Sequence, residues 1–179
     1  MSPLRVTGGE SRGRRLKAPR NIRPTQGIVK QAIFNIVAAE IEGSTVVDLF
    51  AGSGAIGIEA LSRGASHVTF VDREERGLAI LRQNLDALGF RQRAQVVRAD
   101  VARWIETSTD RILAADLVFL DPPYGDPAFD RALQAIDRSG TQATVVAEYS
   151  RRQRLPELAR LKVGREHRYG DTMLAVLRA

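Results

Sequence analysis

Four short, largely apolar runs, each with an aspartate near or just past its end, constrain this chain more than any other feature. They cover residues 45–50, 67–71, 95–98 and 117–120, and their acids are Asp48, Asp72, Asp100 and Asp121. None alternates apolar with polar residues, which is the pattern of parallel strands buried on both faces. Helical spacing fills the intervals. Residues 74–88 would bury Leu78, Ile80, Leu81, Leu85 and Leu88 on one face and stop at Gly89 in the C′ position. A glycine-rich turn over 51–54 opens a helix ending near Arg63-Gly64, a short helix carries Trp104, and another runs near 127–138. Residues 144–147 read as a fifth strand, and roughly 159–168 and 172–178 as two more around Tyr169-Gly170-Asp171. The expected fold is α/β and Rossmann-like: a seven-stranded, mostly parallel sheet with helices on both faces. Such sheets bind ligands beyond the carboxyl ends of their strands, near the reversal of strand order. All four aspartates lie there.

Charge is distributed unevenly. Residues 1–30 hold Arg5, Arg12, Arg14, Arg15, Lys17, Arg20, Arg23 and Lys30 against Glu10 alone, a net +7, whereas the rest of the chain carries −1. Concentrated positive charge is the footprint of a polyanion partner. Leu4, Val6 and Leu16, set among three glycines, predict a short β-hairpin carrying the arginines, so residues 1–22 are expected as a basic arm and 23–179 as the main domain. Arg23-Pro24-Thr25 marks a turn, with Thr25 as N-cap of a helix through about Ala39 whose face is Ile28, Ala32, Ile33, Ile36 and Val37. Arg151, Arg152 and Arg154 form a second cluster, either a solvated helix face or a nucleic-acid contact. With no cysteine there is no disulfide frame or thiolate site, and His67 and His167 stand outside any metal-ligand spacing, so no metal is expected. No apolar run reaches the length of a membrane span and no signal peptide opens the chain, which points to the cytoplasm.

Two motifs carry the chemistry. Gly52-Ser53-Gly54-Ala55-Ile56-Gly57 fits G-x-G-x-x-G between a strand and a helix, where glycines admit a ligand to the backbone and pack the helix on the sheet. Asp72 is placed for ribose hydroxyls and Asp100 for an adenine amino group. A dinucleotide-dependent oxidoreductase shares this turn, but Asp48 beside it would repel a pyrophosphate and welcome a cationic cofactor. The second motif, Asp121-Pro122-Pro123-Tyr124, is a stiff corner at a strand end. Proline removes backbone donors and fixes φ, so the corner offers a carboxylate, a free carbonyl and a flat ring to an exocyclic amino group on a planar base.

In this order, Asp48–Gly54, Asp72, Asp100 and Asp121–Tyr124 resemble class I methyltransferases. With Gly8-Gly9, Arg12-Gly13-Arg14-Arg15-Leu16, Arg23-Pro24-Thr25, Phe34-Asn35 and the run from Glu59 to Gly64, the whole chain is similar to the RsmD-type bacterial 16S rRNA guanine-N2 methyltransferases. It departs from them over Gln26–Gln31, which usually carries more charge. The resemblance implies S-adenosyl-L-methionine as cofactor, held by Asp48, Phe50, Gly52, Ser53, Gly54, Asp72, Arg73, Asp100 and Val101. It implies transfer to guanine N2 with Asp121, Pro122 and Tyr124 as catalytic residues. Arg12, Arg14, Arg15 and Arg23 would hold rRNA phosphates. The expected partner is 16S rRNA, within the small ribosomal subunit or an assembly intermediate, and the expected state a monomer. Guanine follows from the resemblance alone, since the corner accepts an adenine amino group equally. A non-catalytic assembly factor on the same fold is the alternative of another class.

Overall fold

The sheet in the computed structural model, which describes residues 4–18 and 26–179, has the order β3-β2-β1-β4-β5-β7-β6. Its strands are β1 (Thr45–Leu49), β2 (His67–Asp72), β3 (Ala94–Arg98), β4 (Leu117–Leu120), β5 (Thr144–Ser150), β6 (Lys162–Tyr169) and β7 (Thr172–Arg178). The first five are parallel, and β7 runs antiparallel to both β5 and β6. The helices are α1 (Gln26–Ile36), α2 (Ala55–Ser62), α3 (Glu75–Leu88), α4 (Val101–Thr107), α5 (Thr109–Leu113) and α6 (Ala128–Ser139).

Alternate side chains along each strand feed two cores. Val46, Val68, Phe70, Phe119 and Val146 meet α1, α2 and α3 on one face. Val47, Val71, Val118, Leu120 and Val145 meet α4, α5 and α6 on the other. Burial on both sides explains why β1, β2, β4 and β5 lack a polar-apolar alternation, whereas β3, at the other edge of the sheet, is only partly covered. The edge strand β6 is largely exposed and bears Lys162, Arg165, Glu166 and Arg168, charges that oppose pairing with another chain.

Two expectations change. Helix α1 ends at Ile36, and Ile28 is 65% exposed instead of buried. Lys30, two positions on and about 200° around the helix, is drawn inside by Glu59 at 2.9 Å, which turns Ile28 outward. The arm is a short hairpin: one antiparallel bridge joins Arg5 and Arg15, flanked by Val6 N to Arg14 O at 3.0 Å and Leu16 N to Leu4 O at 2.8 Å. Its tip is also fastened to the end of α2, through Glu10 N to Ser62 O at 2.8 Å and Ser11 N to Ser62 Oγ at 2.9 Å. Gly9, at φ +75°, makes this approach possible, because a Cβ there would lie 1.7 Å from Ser62 O. Finally, no helix follows β5. Residues 151–153 form a turn in which Arg151 pairs with Asp171 at 3.0 Å. Arg20, Arg23, Pro24 and Thr25 lie outside the described residues.

Candidate active site

At the reversal of strand order, between β1 and β4, the carboxyl ends of the strands open onto a cavity of about 510 Å³. Asp48 lies at its floor, 2% exposed, its Oδ2 accepting from Gly57 N at 2.8 Å. Burial raises its pKa to about 7; the Gly57 bond opposes the rise and the neighbouring Asp72 adds to it. The chain then turns sharply. Phe50 has φ 60°, the one left-handed non-glycine among the described residues, and Gly52 follows at 53°. Asp72 ties this turn to the next one: Oδ2 accepts from Gly52 N and Oδ1 from Glu74 N, both at 2.8 Å.

Glycines bring helix and turn together. A Cβ at Gly54 would meet Leu81 Cδ1 at 2.3 Å, and one at Gly77 would stand 3.1 Å from the Gly52 carbonyl carbon. Gly54 thus packs α3 beneath the turn, and Gly77 lets α3 approach Gly52.

The opposite wall is the corner after β4. Asp121, Pro122, Pro123 and Tyr124 line the cavity together with Glu148 of β5. Register explains the grouping. Leu120 lies beside Ala147, so Asp121 and Glu148 are the next positions on adjacent strands, which run about 4.8 Å apart. Tyr124 donates its hydroxyl to Glu148 Oε1 at 3.1 Å and is hydrogen-bonded to the Thr172 hydroxyl at the start of β7. A phenol has one proton, so Thr172 is the donor in the second bond. Burial first, and then the Glu148 and Asp121 charges, raise the Tyr124 pKa despite the Thr172 bond. The ring is therefore neutral and held at its tip.

The cavity wall takes in Asp48, Phe50, Gly52, Ser53, Asp72, Arg73, Asp121, Pro122 and Tyr124. It does not take in Asp100 or Val101. The Asp100 carboxylate caps α4, accepting from Arg103 N at 3.1 Å, and Val101 is 3% exposed in the second core. An acid after a strand serves equally well as the N-cap of the next helix. Sequence reasoning missed Glu148, Thr172, Gly77 and Asp126, the last of which pairs with Arg73 at 3.4 Å. Glu148 had a signal, an acid inside the apolar run of β5, as Asp48 is inside β1. Arg12, Arg14 and Arg15 are exposed on the arm, whereas Lys30 is 4% exposed and committed to Glu59. Among the described residues no group of three His, Cys, Asp or Glu could hold a metal ion, and no helix is long and apolar enough to cross a membrane.

A glycine turn flanked by carboxylates fits a nucleoside bearing positive charge better than a pyrophosphate. The chain is 38% identical over 97% of its length, and 97% of the relative's, to the Bacillus subtilis protein named "Putative rRNA methyltransferase YlbH". It is 32% identical to Ribosomal RNA small subunit methyltransferase D of Escherichia coli, over 76% of this chain and 68% of that one. Among solved structures, one titled "Putative methyltransferase yhhF from Escherichia coli" superposes with a TM-score of 0.83 at 29% identity, covering 99% and 98% of the two chains. Fold and site together define a class I methyltransferase, whose cofactor is S-adenosyl-L-methionine. Within that class the chain belongs to the RsmD family, whose profile, described as "Conserved hypothetical protein 95", matches residues 4–178.

Proposed function

We propose that this member of a family of rRNA methyltransferases methylates the exocyclic N2 of one guanine in 16S rRNA. The cofactor supplies an electrophilic methyl group on sulfonium. The chain's own residues must hold the amino nitrogen in line with it. Asp121 carboxylate and the Pro122 carbonyl accept the two N–H bonds, which draws the nitrogen lone pair out of conjugation with the ring and aims it at the methyl carbon. The Tyr124 ring stacks on the base, which is flipped or already single-stranded. Held by Asp48, Gly52, Ser53 and Asp72, the cofactor would supply this methyl group with the carbon–sulfur electron pair staying on sulfur as the amino nitrogen takes up the carbon. The nitrogen is then cationic, and Asp121 takes its proton. Positioning supplies most of the rate.

The observation that carries this reading is one cavity containing both the acid-flanked glycine turn and the Asp121–Tyr124 corner. Asp48, Phe50, Gly52, Ser53, Asp72 and Arg73 are assigned to the cofactor, and Arg12, Arg14, Arg15 and Arg23 to rRNA phosphates. The partner is 16S rRNA in the small subunit or an assembly intermediate, met in the cytoplasm by a monomer.

The test is mass mapping of nucleosides in rRNA from cells lacking the protein, complemented by wild type or Asp121→Ala. N2-methylguanosine should vanish at one position and return only with wild type. Asp121→Ala should lower turnover by about a thousandfold while cofactor affinity changes a few-fold. Loss of N6-methyladenosine instead would transfer the assignment to adenine.

A further inference from the structure

The geometry points to Glu148 as the residue that makes the site specific for guanine, by accepting the N1–H of the base whose amino group Asp121 holds. The inference rests on the guanine-N2 reading and explains what the Asp-Pro-Pro-Tyr corner alone leaves open. Guanine presents two adjacent donors, the N2 amino group and N1–H. Adenine presents its amino group beside N1, an acceptor. An acid and a carbonyl bind either amino group, so discrimination needs a second acceptor that faces the ring nitrogen.

Glu148 is that second acceptor. It occupies the position next to Asp121 in the sheet, one strand spacing away, and the separation of N1 from N2 in guanine is about half of that. Two carboxylates side by side can therefore converge on one edge of the base. Glu148 is 8% exposed yet lines the same cavity as Asp121 and Tyr124. Its Oε1 accepts from the Tyr124 hydroxyl at 3.1 Å, which sets the carboxylate beside the ring on which the base stacks. A ring-nitrogen lone pair in place of N1–H would face negative charge.

The experiment uses the full-length protein and target RNA carrying either guanine or 2-aminopurine at the modified position. Both bases have the 2-amino group, but N1 of 2-aminopurine is an unprotonated acceptor. Wild type should prefer guanine by 10–100-fold in kcat/KM, on the order expected for one hydrogen bond to a charged group. Glu148→Gln can turn its amide NH₂ toward the acceptor, so the preference should fall to about threefold or less. Tyr124→Phe breaks the tyrosine link without removing the carboxylate, and should keep the preference even as its rate falls. Should Glu148→Gln turn over neither RNA, the ratio of the two dissociation constants supplies the same comparison.

An unchanged preference in Glu148→Gln, or none in wild type, overturns the inference. So does a Tyr124→Phe variant that reproduces Glu148→Gln, because Glu148 would then act only by holding the ring. If wild type makes no N2-methylguanine on the guanine RNA, the guanine-N2 reading itself has failed, and product analysis separates that result from the others.

Discussion

Asp48 is held beneath the glycine turn by one hydrogen bond from Gly57, with Asp72 close enough to raise its pKa further, to about 7. A carboxyl raised in this way resists ionisation until a cation arrives. Cofactor affinity should therefore increase with pH across about 6 to 8 and level off above. Asp48→Asn should flatten that profile and weaken binding about tenfold at pH 8, as for one lost charge-assisted bond; titration calorimetry at several pH values checks both. For the cofactor-free chain the sign is opposite. The stability linked to this raised pKa is complete below 3.8 and is lost as pH rises through about 7. Free Asp48→Asn should accordingly melt higher than wild type at pH 8 and not at pH 4. The residues of the site differed in how plainly they could be read. Asp121 to Tyr124 are consecutive, so chemistry and position coincide in the sequence. Thr172 lies 48 residues from Tyr124, and only the insertion of β7 beside β5 brings them together. Asp100 looks the same in sequence whether it caps α4, as it does here, or holds an adenine amino group.

Glu59, at the middle of α2, is fully buried and joins three elements. It accepts from Thr7 N at 2.9 and 3.1 Å, from Arg63 Nε at 2.8 Å, and pairs with Lys30 of α1 at 2.9 Å, whose ammonium also donates to Arg5 O at 2.6 Å. Burial would raise the Glu59 pKa, but Lys30 and Thr7 outweigh it and hold the carboxyl low. This contribution is present above the ordinary carboxylate range and is lost as pH falls below it. Glu59→Gln should cost about 3–5 kcal/mol, the usual consequence of leaving one buried partner uncompensated, read by urea unfolding. The alternation of strands and helices was legible because each element has its own periodicity. The orientation of α1 was not, because a charged side chain, Lys30, occupies a core position there. At the α3 contact, Gly77→Ala should push the helix from the Gly52 turn and cost about 1–3 kcal/mol, with a matching fall in cofactor affinity.

The basic arm belongs to the same core as the sheet, since Val6 is 1% and Leu16 6% exposed against α1, α2 and α3. Removing residues 1–20 would therefore damage the fold as well as RNA binding. Replacing Arg12, Arg14 and Arg15 with Gln leaves the core intact. If each holds one phosphate, the slope of log K against log salt should become shallower by about 2 for single-stranded RNA, with cofactor affinity unchanged; filter binding over a salt series reads it. An unaltered slope would remove the arm from the RNA interface. The sheet has one more property that bears on the site. β7 comes last in chain order yet lies between β5 and β6, and its first residue secures the Tyr124 hydroxyl. A growing chain on a ribosome will display the glycine turn and the Asp121 corner long before the strand that completes them exists. The contact that holds the Tyr124 ring thus forms only once β7 has been synthesised, so translation itself sets the moment at which the corner takes its final shape.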